Sequence, residues 1–400
     1  MLDVTAKVLM HEGWRSRCIN LIASENVTSP AVRTILASDL GHRYSLQDSI
    51  IEGNFYMGTK YIEEIVEYGN KIAKKLFNAY HADLKLTSGH ACAIAALMAL
   101  TKKGDSIMSL SLDDGGYPGY VQDYLPSRLN LHVHKIPFDD DWMQIDVDAC
   151  IERIYEVKPK LVVIAPSMIT FATPLRRIAH ACRKVNSELV YDGSHVLGLI
   201  AGKVFPNPLQ DGTNVLLGST HKSFPGPQGG IILTDKEHST ISKYLPLRVV
   251  DNPHFNRLAG LIVAMEEMLQ FGKQYARQVV VNAKTLAKAL DDNGMEVLGK
   301  KYGYTETHQV LLKRFDGANN FIKDLEHANI IVDTALRLGT CEVTRRGMKE
   351  SDMRYIAELI AQVYNARKSK SFKNRILKVR KEAEELASEH RKIVFAFDAL

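Results

Sequence analysis

Short apolar runs alternate with helix-spaced apolar positions through the first two-thirds of the chain. The runs 161–167 (LVVIAPS), 189–192 (LVYD), 215–219 (VLLGS) and 230–233 (GIIL) predict buried strands. Between the first two, Leu175, Ile178, Ala179 and Cys182 recur at the spacing of one helix face, so a helix is predicted within 173–186. Upstream, 106–112 and 131–136 predict two more strands. The Ala-rich stretch 91–101 predicts a helix, entered from Leu84 through the turn Thr87-Ser88-Gly89-His90. Strand, turn and helix in repeated order predict an α/β fold with a mostly parallel sheet covered by helices. Beyond about Asn256 the pattern changes to a long helix, 258–291, then to shorter mixed elements and a final return to helix. The expected layout is an N-terminal arm (1–40), a large α/β domain (41–255), a connecting helix (256–280) and a small α+β domain (281–400).

Composition adds little to this and excludes much. At 400 residues, with 46% hydrophobic and 24% charged positions, the chain has the make-up of an ordinary folded protein, and disorder, collagen and coiled coil are excluded. The net charge of +5 has a location: 365–381 holds eight basic residues and no acidic one. Glu382, Glu384, Glu385 and Glu389 follow at once, which predicts a solvated helix rather than a nucleic-acid tail. Five widely spaced cysteines without a CxxC pair predict buried thiols in a reducing compartment. With no signal-like apolar region near the start and no run of membrane-spanning length, the expectation is a cytoplasmic protein that binds neither membrane nor nucleic acid.

Three features carry chemistry. Lys222 directly follows a predicted strand and opens the Pro/Gly-rich turn 223–230, at the carboxyl edge of the sheet where α/β ligand sites gather. Asp192 ends another predicted strand, with no helix to cap and no base near it in sequence, so it calls for a cationic partner. The turn Ser88-Gly89-His90 presents backbone N–H groups at a helix start, which suits a phosphate as well as a simple cap. An amine for an imine, a counter-charge for a protonated ring nitrogen and an anchor for a phosphate are together what pyridoxal phosphate requires.

The wording of these motifs resembles the serine hydroxymethyltransferase family of fold type I pyridoxal phosphate enzymes. The resemblance rests on 21–26 (LIASEN) with Thr28-Ser29-Pro30, on 219–222 (STHK) with 226–230 (GPQGG), and on 203–208 (KVFPNP). It also rests on 336–340 (LRLGT) leading into 343–347 (VTRRG). It implies an aspartate aminotransferase-like fold in which Lys222 holds the cofactor as a Schiff base and Asp192 pairs with the ring nitrogen. His195 and Ser167 would lie beside the phenolic oxygen, with Ser88, Gly89 and His90 on the phosphate, and His221 within the cofactor-lysine motif. Ser24 and Arg346 would bind the substrate carboxylate, a task suited to a planar guanidinium fork. Tyr44 and Tyr56 resemble two tyrosines supplied by the neighbouring subunit, which implies a homodimer, or a dimer of dimers, with shared active sites acting on an amino acid.

Four departures bear on the reaction. A family glutamate that works on the substrate hydroxyl and on the folate carrier follows the first tyrosine by two residues. Here Leu46 stands there when counted from Tyr44, and Asp48 when counted back from Tyr56, with Glu52 nearby. Tyr117 replaces a histidine that stacks on the cofactor ring, which keeps an aromatic face for that stacking but not the imidazole's proton chemistry. His90 and Ala91 replace a serine and a glutamine of the phosphate turn, and Asp251-Asn252 replaces a glycine pair before Pro253. Three readings follow: a hydroxymethyltransferase moving one carbon between serine and tetrahydrofolate, a folate-free aldolase, transaldolase or racemase on the same cofactor, or a pyridoxal phosphate-binding protein without turnover.

Overall fold

The computed structural model describes residues 3–46, 53–367 and 371–399. Those of 28–273 and 396–399 form one compact unit, and the rest of the described chain, drawn from 3–27 and 274–395, forms the other.

The first unit is built on a seven-stranded sheet. Its elements are α1 (Lys60–Phe77), β1 (His81–Asp83), α2 (Gly89–Leu100), β2 (Ser106–Ser109), β3 (His132–Lys135) and α3 (Val147–Val157). After them come β4 (Leu161–Ile164), α4 (Leu175–Lys184), β5 (Glu188–Asp192), β6 (Val215–Ser219) and β7 (Gly230–Thr234). The strand order is β1-β7-β6-β5-β4-β2-β3. Only β7 runs against its neighbours, pairing antiparallel with both β6 and β1, while the four remaining pairs are parallel. β4, β5, β6 and β7 are buried, apart from half-buried Glu188 at the start of β5, as a sheet covered on both faces requires.

Two strands stop earlier than the apolar runs that predict them, and the reason bears on function. The segments after β2 and β4 leave the ladder and turn toward each other: Tyr117 N donates to Ala165 O at 2.8 Å and Ser167 N donates to Gly115 O at 2.7 Å. Gly115 sits at φ +73°, where a side chain would be strained. At α2 the difference runs the other way. The helix begins two residues before the Ala-rich run because Ser88 caps it, its Oγ accepting from Ala91 N at 3.0 Å. In α4, Leu175, Ile178, Ala179 and Cys182 are all buried. Pro174 precedes that helix, and Asn186 beyond it adopts φ +56°.

The second unit joins distant parts of the chain. Ile19–Asn20 pairs in parallel with Ile330–Ile331, and Gln309–Leu311 pairs antiparallel with Arg337–Gly339. Ile22 bridges to Leu338, and Gly339 lies so close to the next segment that a Cβ there would sit 2.4 Å from Ala23 Cα. The core gathers Ile19, Leu21, Leu290, Phe321, Leu338, Val343, Ile360 and Val379. The described part of the basic segment lies mostly on helix Phe372–Glu389. There Lys378, Arg380 and Lys381 pair with Glu382, Glu384 and Glu385 one turn on, the charge pattern of a solvated helix. One long helix, α5 (Phe255–Asp292), runs from the first unit into the second. All five cysteines are buried and free, and among the described residues no helix is long and apolar enough to cross a membrane.

Candidate active site

The carboxyl ends of β4, β5 and β6 and the start of α2 enclose a cleft of about 340 Å³, counting its open mouth. Lys222, Asp192, His195, Ser167, Gly89, His90 and Tyr117 all line it, together with Ser194 and Ser219. Residues scattered over 130 positions of sequence thus meet at the sheet edge where such sites form.

Local bonds hold each side chain in place. Lys222 Nζ lies 3.3 Å from His195 Nε2. Its loop is closed by Thr220, whose N donates to Gly229 O, whose Oγ1 donates to Pro227 O and whose O accepts from Gly226 N. Asp192 is only 6% exposed. Its Oδ1 accepts from Ser194 N at 3.0 Å and from Ser194 Oγ at 2.6 Å, and that hydroxyl in turn accepts from Ser219 N at 2.9 Å. Burial pushes the Asp192 carboxyl above its ordinary range, against the opposing pull of Ser194 and of the Lys222 charge. His221 is driven down to about 4, first by burial and then by Lys222, so it stays neutral at physiological pH. Gly89 admits no side chain: a Cβ there would stand 2.4 Å from Ser219 Oγ.

The structure brings some predicted residues together and leaves others apart. Ser88 and His221 are not among the residues lining the cleft, and the Ser88 hydroxyl is engaged as the cap of α2. Tyr44 and Tyr56 do not line it either. Their rings pack against each other at 5.3 Å, with both side chains exposed. The Tyr44 loop is gripped on both sides by Asn252, whose Oδ1 accepts from Ser45 N and whose Nδ2 donates to Arg43 O. That gives one of the residues replacing the family's glycine pair a structural task. Leu46 is described and half-buried, whereas Asp48 and Glu52 lie outside the described residues. Ser24 and Arg346 belong to the other unit, where Glu342 Oε1 accepts from both Arg346 Nε and Asn20 Nδ2, tying the start of the Ser24 segment to the arginine. Ser194 and Ser219 were missed by the sequence reading. A serine two residues after a strand-end aspartate is the available signal for the first, and the second opens the 219–222 motif.

These residues fit pyridoxal phosphate. A carboxylate buried at 6% exposure gains from a cationic ring nitrogen. The amine of Lys222 is at the cleft, and α2 begins at its wall with Gly89 and His90, whose N–H groups have no partner within the helix and suit a phosphate. Fold and cleft therefore define a pyridoxal phosphate-dependent enzyme of fold type I, with the mostly parallel sheet that this class carries. Comparison with known proteins narrows the class: residues 3–360 match the sequence model of serine hydroxymethyltransferase. The serine hydroxymethyltransferases of Methanopyrus kandleri and Archaeoglobus fulgidus are each 40% identical to this chain; the first match covers 99% of this chain and 95% of the relative, the second 95% and 89%. The crystal structure of an L-threonine transaldolase from Pseudomonas fluorescens superposes with a TM-score of 0.90 at 27% identity, covering 99% of this chain and 93% of that one. The chain belongs to the serine hydroxymethyltransferase family.

Proposed function

We propose that this enzyme makes and breaks the Cα–Cβ bond of a β-hydroxy amino acid, interconverting serine and glycine. The observation that carries the reading is Lys222 Nζ beside His195 in a cleft that also holds the buried Asp192. When bound, pyridoxal phosphate supplies an imine-forming aldehyde and a cationic ring that takes up the electron pair left at Cα. Lys222 would hold the cofactor and serve the proton at Cα. Asp192, fixed by Ser194, keeps the ring nitrogen protonated, while His195 and Ser167 orient the ring oxygen. The N–H groups at Gly89 and His90 bind the phosphate, and Arg346 with Ser24 binds the substrate carboxylate. A homodimer in which Tyr44 and Tyr56 reach the partner's site accounts for their exposure, and the buried free thiols support a reducing, cytoplasmic setting.

A second reading, a folate-free aldolase, transaldolase or racemase, is favoured by Leu46, which stands at the position of the family's glutamate when counted from Tyr44. Serine cleavage measured with and without tetrahydrofolate decides between them: strong stimulation supports the transferase, and a rate indifferent to folate supports the aldolase. Underneath both lies one expectation. The purified protein is yellow, and Lys222→Ala abolishes the visible band of bound cofactor. A colourless wild type that takes up no added pyridoxal phosphate sinks both readings.

A further inference from the structure

Two of the departures from the family sequence meet in space. His90 Nδ1 lies 2.9 Å from Tyr117 Oη, with the rings 6.1 Å apart and inclined at 72°. The imidazole comes from the first turn of α2 and the phenol from the loop after β2, which is pinned to the segment after β4 by Tyr117 N and Ala165 O. Tyr120 packs edge-on against the Tyr117 ring at 5.9 Å and fixes its plane. Both members of the pair line the same cleft as Lys222, the phenol half-buried and the imidazole exposed. The family's imidazole, absent at position 117, has thus returned one hydrogen bond away on the facing wall.

We propose that Tyr117 and His90 form a proton relay for the β-hydroxyl of the substrate, with Tyr117 touching the hydroxyl and His90 acting through it. The proposal rests on the Cα–Cβ chemistry above and assigns the residues that serve its oxygen end. In cleavage, the hydroxyl proton passes to Tyr117 Oη as the phenolic proton passes to His90 Nδ1. The O–H electron pair becomes the second bond of the aldehyde carbonyl, the Cα–Cβ bond breaks, and its pair stays with the glycine fragment. Synthesis runs the same steps in reverse. The phenol alone is a poor base here, because burial, and after it the negative charge of Asp192, push its ionisation above the ordinary phenol value. It therefore passes a proton on rather than holding a negative charge. His90, exposed at the mouth of the cleft, discharges the proton to solvent. The charged and titratable groups facing the pair are Asp192 at the end of β5, His195 just after it, Lys222 after β6, and Tyr120 on the same loop as Tyr117.

The first test needs no cofactor. Ring ¹⁵N NMR of His90 in cofactor-free protein is expected to find Nδ1 unprotonated and Nε2 carrying the hydrogen, and a ring protonated at Nδ1 when neutral overturns the relay. The second compares two reactions of the holoenzyme: cleavage of L-threonine, followed by aldehyde release, and hydrogen–deuterium exchange at Cα of glycine, which breaks no O–H bond. Tyr117→Phe keeps the aromatic ring, and His90→Asn keeps a hydrogen-bonding group. Each is expected to lower kcat for cleavage about 100-fold and exchange far less, with the double variant no slower than the slower single one. Cleavage at the wild-type rate in either variant, or parallel loss of both reactions, overturns the proposal, the latter because it marks a pair that only holds the cofactor. Failure of the parent reading looks different, since the wild type itself would then release no aldehyde from L-threonine or serine.

Discussion

Asp192 is a residue whose function and stability pull in opposite directions. Its carboxyl is raised by burial in the folded state, so above the folded value the protein carries a charge that the unfolded chain solvates better. The cost is present at neutral pH and disappears below the unfolded carboxylate value near 4. Asp192→Asn preserves an oxygen for Ser194 and removes the charge. The cofactor-free variant is therefore expected to melt higher than the wild type at pH 7 to 8, with the gain shrinking as the pH falls, as calorimetry across a pH series would measure. Lys222 and Asp192 could be found in the sequence because Asp192 ends an apolar strand run and Lys222 follows another within three residues, where a charged residue stands out. The Ser194–Ser219 bond and the His90–Tyr117 contact could not, since each joins residues 25 or more positions apart that share no local pattern.

At the scale of elements, a histidine clamp on the opposite edge of the sheet shows how the strands are kept in register. His238 Nε2 meets Glu188 at the first residue of β5 at 2.9 Å, and its Nδ1 meets Asp235 just past β7 at 2.7 Å. These two bonds raise the imidazole to about 10. A folded value above the unfolded one of about 6.5 gives stability that is fully present below pH 6.5 and lost as pH climbs toward 10. His238→Gln should therefore lower stability by about 2 kcal/mol at pH 6, allowing for solvent screening of the half-exposed carboxylates, and by much less at pH 10. Denaturant titrations at the two pH values test this. The elements themselves were largely legible: β6 was read with its observed bounds, and the other strands of 161–234 were found where apolar runs lie. Their ends were not, because the runs 106–112 and 161–167 continue apolar into segments that turn toward each other and build the cleft.

For the whole molecule, the surface holds an aromatic cluster that one chain leaves open. Tyr44, Phe55, Tyr56, Met57 and Tyr61 are all exposed, Met57 at 94%, and the Tyr56 ring packs against both Tyr44 and Phe55. If Tyr44 serves the partner's Lys222, then inactive Lys222→Ala and Tyr44→Phe proteins, unfolded and refolded together, regain activity. Random pairing leaves one intact site in each mixed dimer, so about a quarter of the wild-type rate is expected. No recovery above the sum of the parents would place each site within one chain.

The pairing of Ile19–Asn20 with Ile330–Ile331 also sets a timetable. Ile19 and Leu21 are fully buried in a core completed by residues beyond 274. A ribosome adding 5 to 20 residues per second needs roughly 15 to 60 s to reach the strand that covers them. Throughout that interval the sheet of the first unit can form, while the apolar stretch at 19–21 waits uncovered. The nascent protein is thus open to aggregation and to chaperone capture at Ile19 and Leu21 until Ile330 and Ile331 have been made.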